Sequence, residues 1–167
     1  MADPLDRTFD VTRVRGEVVA WAGVLLAAIG LRLAGLQDHA LSPDGARRAF
    51  AAYALYTGQG ADLGNAAGGP FGALFGALLY FLFGVSDGIA RLGPVLAGVG
   101  LVVATIWLRP YLGRSGALLA GALLALSPSS AYFSRQVQPD IYAQFFALVL
   151  FIAVLRMLDH GQGSRRG

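Results

Sequence analysis

Phe71 to Val85, "FGALFGALLYFLFGV", decides how this chain is built. It is apolar throughout, yet a 15-residue helix covers only about 23 Å of a hydrocarbon core roughly 30 Å thick. Gly68-Gly69-Pro70 precedes it and Gly84 lies near its end. Either it crosses a membrane, or it rests at the interface and dips in. Four other stretches have the length to cross: about Val18–Leu36, Gly88–Leu108, Gly116–Phe133 and Ile141–Leu158. The choice is therefore between four spans and five.

Arginine placement arbitrates, because short cytoplasmic loops carry the excess of positive charge. With four spans and the N-terminus inside, Arg7, Arg13, Arg15, Arg109, Arg114, Arg156, Arg165 and Arg166 lie inside. Arg47, Arg48, Arg91 and Arg135 lie outside, and Arg32 falls within the first span. With five spans the balance inverts to five inside against seven outside. The expected fold is thus all-α and polytopic, with four transmembrane helices plus one or two juxtamembrane helices in the first outer loop. Residues 1–17 form a cytoplasmic N-terminus, 18–158 the membrane module with its outer loop 37–87, and 159–167 a cytoplasmic tail. The expected location is a prokaryotic-type plasma membrane.

Composition agrees with a membrane class. Of 167 residues 56% are hydrophobic and 14% are charged, against about 25% charged in soluble domains, and the mean hydropathy is +0.59. The absence of cysteine excludes disulfides and thiolate metal sites. All 13 basic residues are Arg, and Glu17 is the one glutamate among 10 acids. The basic balance follows from topology and does not call for nucleic acid. The first apolar run has no small-residue cleavage site and reads as a retained span.

Within the outer loop, "SPDGARRAFAAYALYTGQG" reads as a surface helix. Ser42 is its N-cap, Pro43 its first residue and Asp44 sits in its first turn. Ala46, Phe50, Tyr53 and Thr57 share one face, and Gly58 and Gly60 end it. Small residues recur at four-residue spacing in Gly93/Ala97, Gly100/Ala104, Gly116/Ala120 and Ala117/Gly121, faces that allow close helix approach. Pro94 and Pro128 are candidate kinks. Most of the tyrosines, with Trp21 and Trp107, fall near span ends and read as an aromatic belt.

Asp44 and Asp140 are the candidates for chemistry. In the four-span topology both lie outside. A surface carboxylate can act as a general base, and the two together could ligate a divalent cation. The bland reading is that each complements the dipole of its helix. Arg47, Arg48, Arg91 and Arg135 could pair bidentately with a lipid phosphate, or simply meet ordinary anionic headgroups. Arg32 either snorkels outward or pairs with an acid such as Asp38. His39 and His160 are lone histidines on opposite sides; a weak cation site at His39 is the alternative to a solvated loop side chain.

Three stretches, in order, resemble the N-terminal part of polyprenyl-phosphate-sugar-dependent glycosyltransferases of the GT-C fold, the protein mannosyltransferase, aminoarabinose transferase and archaeal flippase-associated relatives. They are "LSPDGARRAFAAYALYTGQG", the run from "GPFGALFGALLYFLFG" through "LSPSSAYFSR", and "SRQVQPDIYAQFFALVLFIAVLRML". The resemblance implies a polyprenyl-phosphate sugar donor at the outer face, with Asp44 as base or acceptor-positioning acid and Asp140 contributing to acceptor or metal binding. Family members usually carry a second acid directly after the first; here that residue is Gly45. They also run to several hundred residues, so the resemblance implies a truncated or degenerate module. A non-catalytic accessory subunit, packed with other membrane subunits through its small-residue faces, is the competing reading.

Overall fold

The computed structural model describes residues 11–34, 36, 41–59 and 69–163, with the side chains of 11–15 and 160–163 left aside. Among the described residues it is all helical: α1 (Val11–Leu33), α2 (Pro43–Tyr56), α3 (Gly69–Phe83), α4 (Asp87–Ala104), a 3-10 turn (Thr105–Leu108), α5 (Arg109–Leu126), α6 (Pro128–Arg135) and α7 (Asp140–Gly163). Among the described residues three stretches are long and apolar enough to cross a membrane: Gly16–Leu33, Asp87–Leu126 and Asp140–Asp159.

The middle stretch is 40 residues long, about 60 Å if straight, but it is not straight. Gly113 takes φ 73° and ψ 176° inside α5, a conformation open to glycine alone at little cost. Just before it Arg109 meets Glu17 at 3.0 Å, and just after it Arg114 approaches the same carboxylate. Further on, Ala125 lies beside Arg32 near the far end of α1. The chain therefore travels along α1 in α4, reverses at Gly113, and returns in α5. This separates the expected Gly88–Leu108 and Gly116–Phe133 segments. The second is itself interrupted, because Ser127 leaves the helical region (φ −59°, ψ 119°) and its hydroxyl caps a new helix by accepting from the Ser130 N–H at 3.4 Å. Pro128 thus opens α6 rather than bending a continuous span, while Pro94 lies inside an unbroken α4.

Small residues set the packing. The Trp21 ring lies over Gly121, where a Cβ would sit 2.8 Å from it, and the Thr105 hydroxyl is 2.9 Å from the same point. Phe145 of α7 covers Gly100, and the Tyr142 hydroxyl sits over Gly93. Ala97, Ala104 and Ala117 are buried. Among the described residues, a Cβ on Gly116 would meet only Leu112, four residues before it. Trp21, expected in an aromatic belt, is 9% exposed and belongs to the interior. Trp107 and Tyr132 remain exposed.

α2 begins and ends as the sequence predicts. Ser42 Oγ accepts from the Gly45 N–H at 3.2 Å, Pro43 is the first helical residue, and Gly58 has φ 71° just past the end. Gly60 lies outside the described residues. The face shared by Ala46, Phe50, Tyr53 and Thr57 is exposed. Gly45, Ala52 and Ala54 are buried, whereas Phe50 is 64% exposed and Tyr53 37%. In an aqueous protein large apolar side chains mark the inner face; next to lipid they gain nothing by turning inward, and small residues that let backbones approach take that place. Ala52 packs on Gly76 of α3, where a Cβ would come within 2.8 Å.

α3 is 15 residues long, bounded by Gly69 (φ 80°) and Gly84 (φ 86°). It runs back along only the first part of α4: Tyr80 clusters with Ala90, and Phe75 with Gly93 and Ala97. Its N-terminal ring, Phe71, meets Tyr142 edge-on at 5.4 Å and Phe146 at 5.1 Å, docking α3 on α7.

Candidate functional site

The end of the bundle where α1, α5 and α6 finish and α2, α4 and α7 begin holds every candidate site residue. Helix termini leave unpaired carbonyls, and at this end arginine side chains answer several of them. Arg48 of α2 donates to the Val137 carbonyl at 2.8 Å. Arg91 of α4 donates to the Leu36 carbonyl at 2.7 Å, and Arg135 at the end of α6 donates to the Leu31 carbonyl. Of the four arginines expected to hold phosphate, Arg91 is turned inward at 5% exposure, Arg48 and Arg135 are half-buried, and Arg47 is exposed.

Arg32 is the most enclosed charged group, at 0% exposure. It does not snorkel outward; Asp38, the other partner expected for it, lies outside the described residues, as does His39. Its terminal nitrogens donate to the carbonyls of Ala28 (3.2 Å), Leu124 (3.2 Å) and Ala125 (3.4 Å) and to Ser130 Oγ (2.8 Å). The C-terminal carbonyls of α5 carry partial negative charge, so a cation is favoured there. Gly98 of α4 makes room: a Cβ at that position would stand 2.8 Å from Arg32 Nε and 2.7 Å from Ser134 Cβ. One guanidinium therefore joins α1, the end of α5 and the start of α6. The sequence singled out Arg32 as an ionisable residue inside a span; the partners that α5 and α6 bring back to it were not readable.

Asp44 sits in the first turn of α2 and Asp140 is the first residue of α7; both are exposed. Their elements are tied together. Besides the Arg48–Val137 hydrogen bond, Gly45 faces Val137, with a Cβ built on it 3.8 Å from the valine Cβ. Between α2, α3 and the 136–139 segment lies a narrow cavity of about 30 Å³, lined by Arg48, Tyr80, Gln138 and Tyr142 among small residues. Neither aspartate lines it. Among the described residues no three His, Cys, Asp or Glu side chains gather, so a divalent cation at Asp44 and Asp140 would draw its remaining ligands from water or substrate.

At the other end, sequence reading missed a contact. Glu17, 16% exposed, lies between Arg109 at 3.0 Å and Arg114 at 3.7 Å. The signal was there: a lone glutamate at the start of an apolar run, with arginines bracketing Gly113 far downstream.

No curated protein and no solved structure matches the chain. A family model described as dolichyl-phosphate-mannose-protein mannosyltransferase matches residues 67–165. That range takes in α3 through α7, more than half of the chain, and includes Asp140 but not Asp44. The chain therefore belongs to the dolichyl-phosphate-mannose-protein mannosyltransferase family, and is a GT-C-like, glycosyltransferase-type membrane module.

Proposed function

We propose that the chain is the N-terminal module of a glycosyltransferase that takes its sugar from a polyprenyl-phosphate donor at the outer face of a prokaryotic-type plasma membrane. In this reading α1, α4, α5 and α7 each cross once, both termini are cytoplasmic, and α3 dips in beside the first half of α4. The observation that carries it is the attachment of α2 to the segment before α7, through Arg48, Gly45 and Val137, within a chain of this family. It supports two carboxylates, Asp44 and Asp140, serving one site. Asp44 would take the proton of an acceptor hydroxyl as its oxygen attacks the anomeric carbon. The bond from that carbon to the donor phosphate breaks, and the phosphate leaves with the polyprenyl chain. Arg47, exposed one turn from Asp44, is best placed to meet that phosphate. Arg48, Arg91 and Arg135, each bound to a backbone carbonyl, would add positive charge beside it. Asp140 would bind acceptor or, with Asp44, a divalent cation.

A specific observation favours the second reading, a non-catalytic subunit of a larger membrane assembly. Gly45 is buried, and a Cβ there would stand 3.0 Å from Ser42 Oγ and 3.8 Å from Val137. A side chain in the place of the second acid would crowd the Ser42 cap and lie against Val137 rather than in the open. Asp44→Asn separates the two readings, because it removes a proton acceptor and little else. Sugar transfer by membranes containing the chain is expected to vanish while helix content stays unchanged. Unaltered transfer assigns the chain to the subunit reading.

Topology has its own test, since the chain has no cysteine of its own. Ser115 and Ser129 are exposed on either side of the returning pass of α5. A cysteine at Ser115 should react with an impermeant maleimide only from the cytoplasmic side, and one at Ser129 only from outside. Labelling from one and the same side would overturn the four-crossing arrangement. Ser134 would be a poor probe, being 0% exposed.

A further inference from the structure

The Glu17 end carries a feature that sugar transfer does not use. Between α1 and α5 runs an open groove of about 590 Å³, lined by Gly16, Glu17, Ala20, Arg114, Ser115 and Leu118. Gly16 is the first residue of the apolar stretch of α1, so with α1 crossing the membrane as proposed above the groove starts near the edge of the hydrocarbon. Its polar members, Glu17, Arg114 and Ser115, sit at that boundary, while Ala20 and Leu118 lie about one turn deeper. Exposed Val19 and Leu119 extend the apolar surface beside it.

The charges in the groove are not equivalent. The Glu17 side chain is 16% exposed and already hydrogen-bonded by Arg109 at 3.0 Å. Arg114 is 59% exposed and offers Glu17 only its Nε, at 3.7 Å, beyond hydrogen-bond range. Two guanidinium groups against one carboxylate leave a net positive charge, and the cation facing outward is Arg114. The Ser115 hydroxyl, also exposed, is its neighbour.

We propose that this groove is a binding site for an anionic phospholipid, with the phosphodiester on Arg114 and Ser115 and an acyl chain along Ala20 and Leu118. Arg114 offers paired donors that match two phosphate oxygens. An acyl chain explains what a free anion would not: a groove whose deeper half is apolar and opens into the bilayer. A zwitterionic headgroup fits less well, because the acid that lines the groove, Glu17, is recessed and already paired. The proposal does not depend on whether the chain transfers sugar, since it concerns the opposite end of the bundle.

The test uses the full chain purified into mixed micelles of equimolar phosphatidylglycerol and phosphatidylcholine, with the retained lipid read by native mass spectrometry. Phosphatidylglycerol should be retained over phosphatidylcholine by about fivefold, the effect of one arginine at an anionic surface. Arg114→Gln should bring the ratio to parity, and Arg114→Lys should keep most of it, because a cation remains. Helix content by circular dichroism should be the same in all three proteins, since Arg114 is mostly exposed. Equal retention of both lipids by the unaltered chain would overturn the proposal, as would persistence of the preference in Arg114→Gln. Loss of the preference on adding inorganic phosphate would also overturn it, by making the site one for a free anion. So would an equal loss in Arg47→Gln, which would put the lipid at the other end.

Discussion

The two ends of this bundle use arginine in opposite ways. At the end where α2 and α7 begin, the guanidinium groups of Arg32, Arg48, Arg91 and Arg135 reach backbone carbonyls, and Arg32 is sealed from solvent. At the Glu17 end, Arg109 and Arg114 turn to a carboxylate while staying 41% and 59% exposed. A backbone carbonyl cannot be neutralised by pH and cannot move without the chain around it. A guanidinium that reads carbonyls therefore pins helix ends and the segments that follow them, and its loss leaves acceptors unanswered. An exposed ion pair joins two flexible side chains, and water and salt can stand in for either partner. The first end should thus hold its geometry firmly, as a site for chemistry requires. The second should stay adjustable.

The comparison breaks most readily at Arg32. Arg32→Met removes four hydrogen bonds and leaves the Leu124 and Ala125 carbonyls unanswered beside Ser130. A loss on the order of 3 kcal/mol is expected, given the cost of stranding buried polar groups. It should appear as a lower unfolding midpoint in detergent, unaffected by salt. Arg32→Lys should recover part of it, since an ammonium supplies charge but not the fork that spans three elements. A midpoint unchanged in Arg32→Met would show that α5 and α6 are held without it.

Gly98→Ala approaches the same junction from α4 and should cost less. The added methyl would stand 2.7 Å from Ser134 Cβ and 2.8 Å from Arg32 Nε, so α6 or Arg32 must shift. Overpacking of this kind costs roughly 1–3 kcal/mol. Because both residues act at one place, the double variant Arg32→Met with Gly98→Ala should be less destabilised than the sum of the two changes, since Met can bend away where the guanidinium cannot. Strict additivity would mean that Gly98 makes room for Ser134 alone.

How much of this was legible depended on the range of the cause. α2 was readable from its ends because Ser42, Pro43 and Gly58 act on their own backbone. Which side of it packs was not readable, because beside lipid large apolar side chains need not point inward: Phe50 and Tyr53 are exposed and Gly45 and Ala52 buried. The reversal at Gly113 falls between the two apolar runs read as Gly88–Leu108 and Gly116–Phe133. The break at Ser127 was not foreseen, since a serine before a proline suits a kink and a new N-cap equally well. Asp44 and Asp140 were found as exposed acids at helix starts. The Arg48–Val137 and Gly45–Val137 contacts that tie their elements join residues about ninety positions apart, and one sequence holds no record of such pairs. Trp21 failed for the same reason, because its partner Gly121 is a hundred residues away.

The smallest effect is expected at Glu17, and it completes the contrast. Glu17→Gln keeps the size of the side chain and removes the charge that faces Arg109 at 3.0 Å. With Arg109 41% exposed and Arg114 59%, solvent screens most of the pair, and a loss of about 0.2–1 kcal/mol is expected. Unlike the loss at Arg32, it should shrink as salt is added, because a Debye length of about 3 Å at 1 M is shorter than the reach of the cluster. Unfolding midpoints of the unaltered chain, Arg32→Met and Glu17→Gln, each taken at low and high salt, give both quantities in one experiment. A Glu17→Gln loss equal to that of Arg32→Met and insensitive to salt would make the two ends alike. The acid would then be a fixed brace holding the start of α1 against the Gly113 reversal. A small, salt-sensitive loss leaves Arg114 free to exchange Glu17 for another anion.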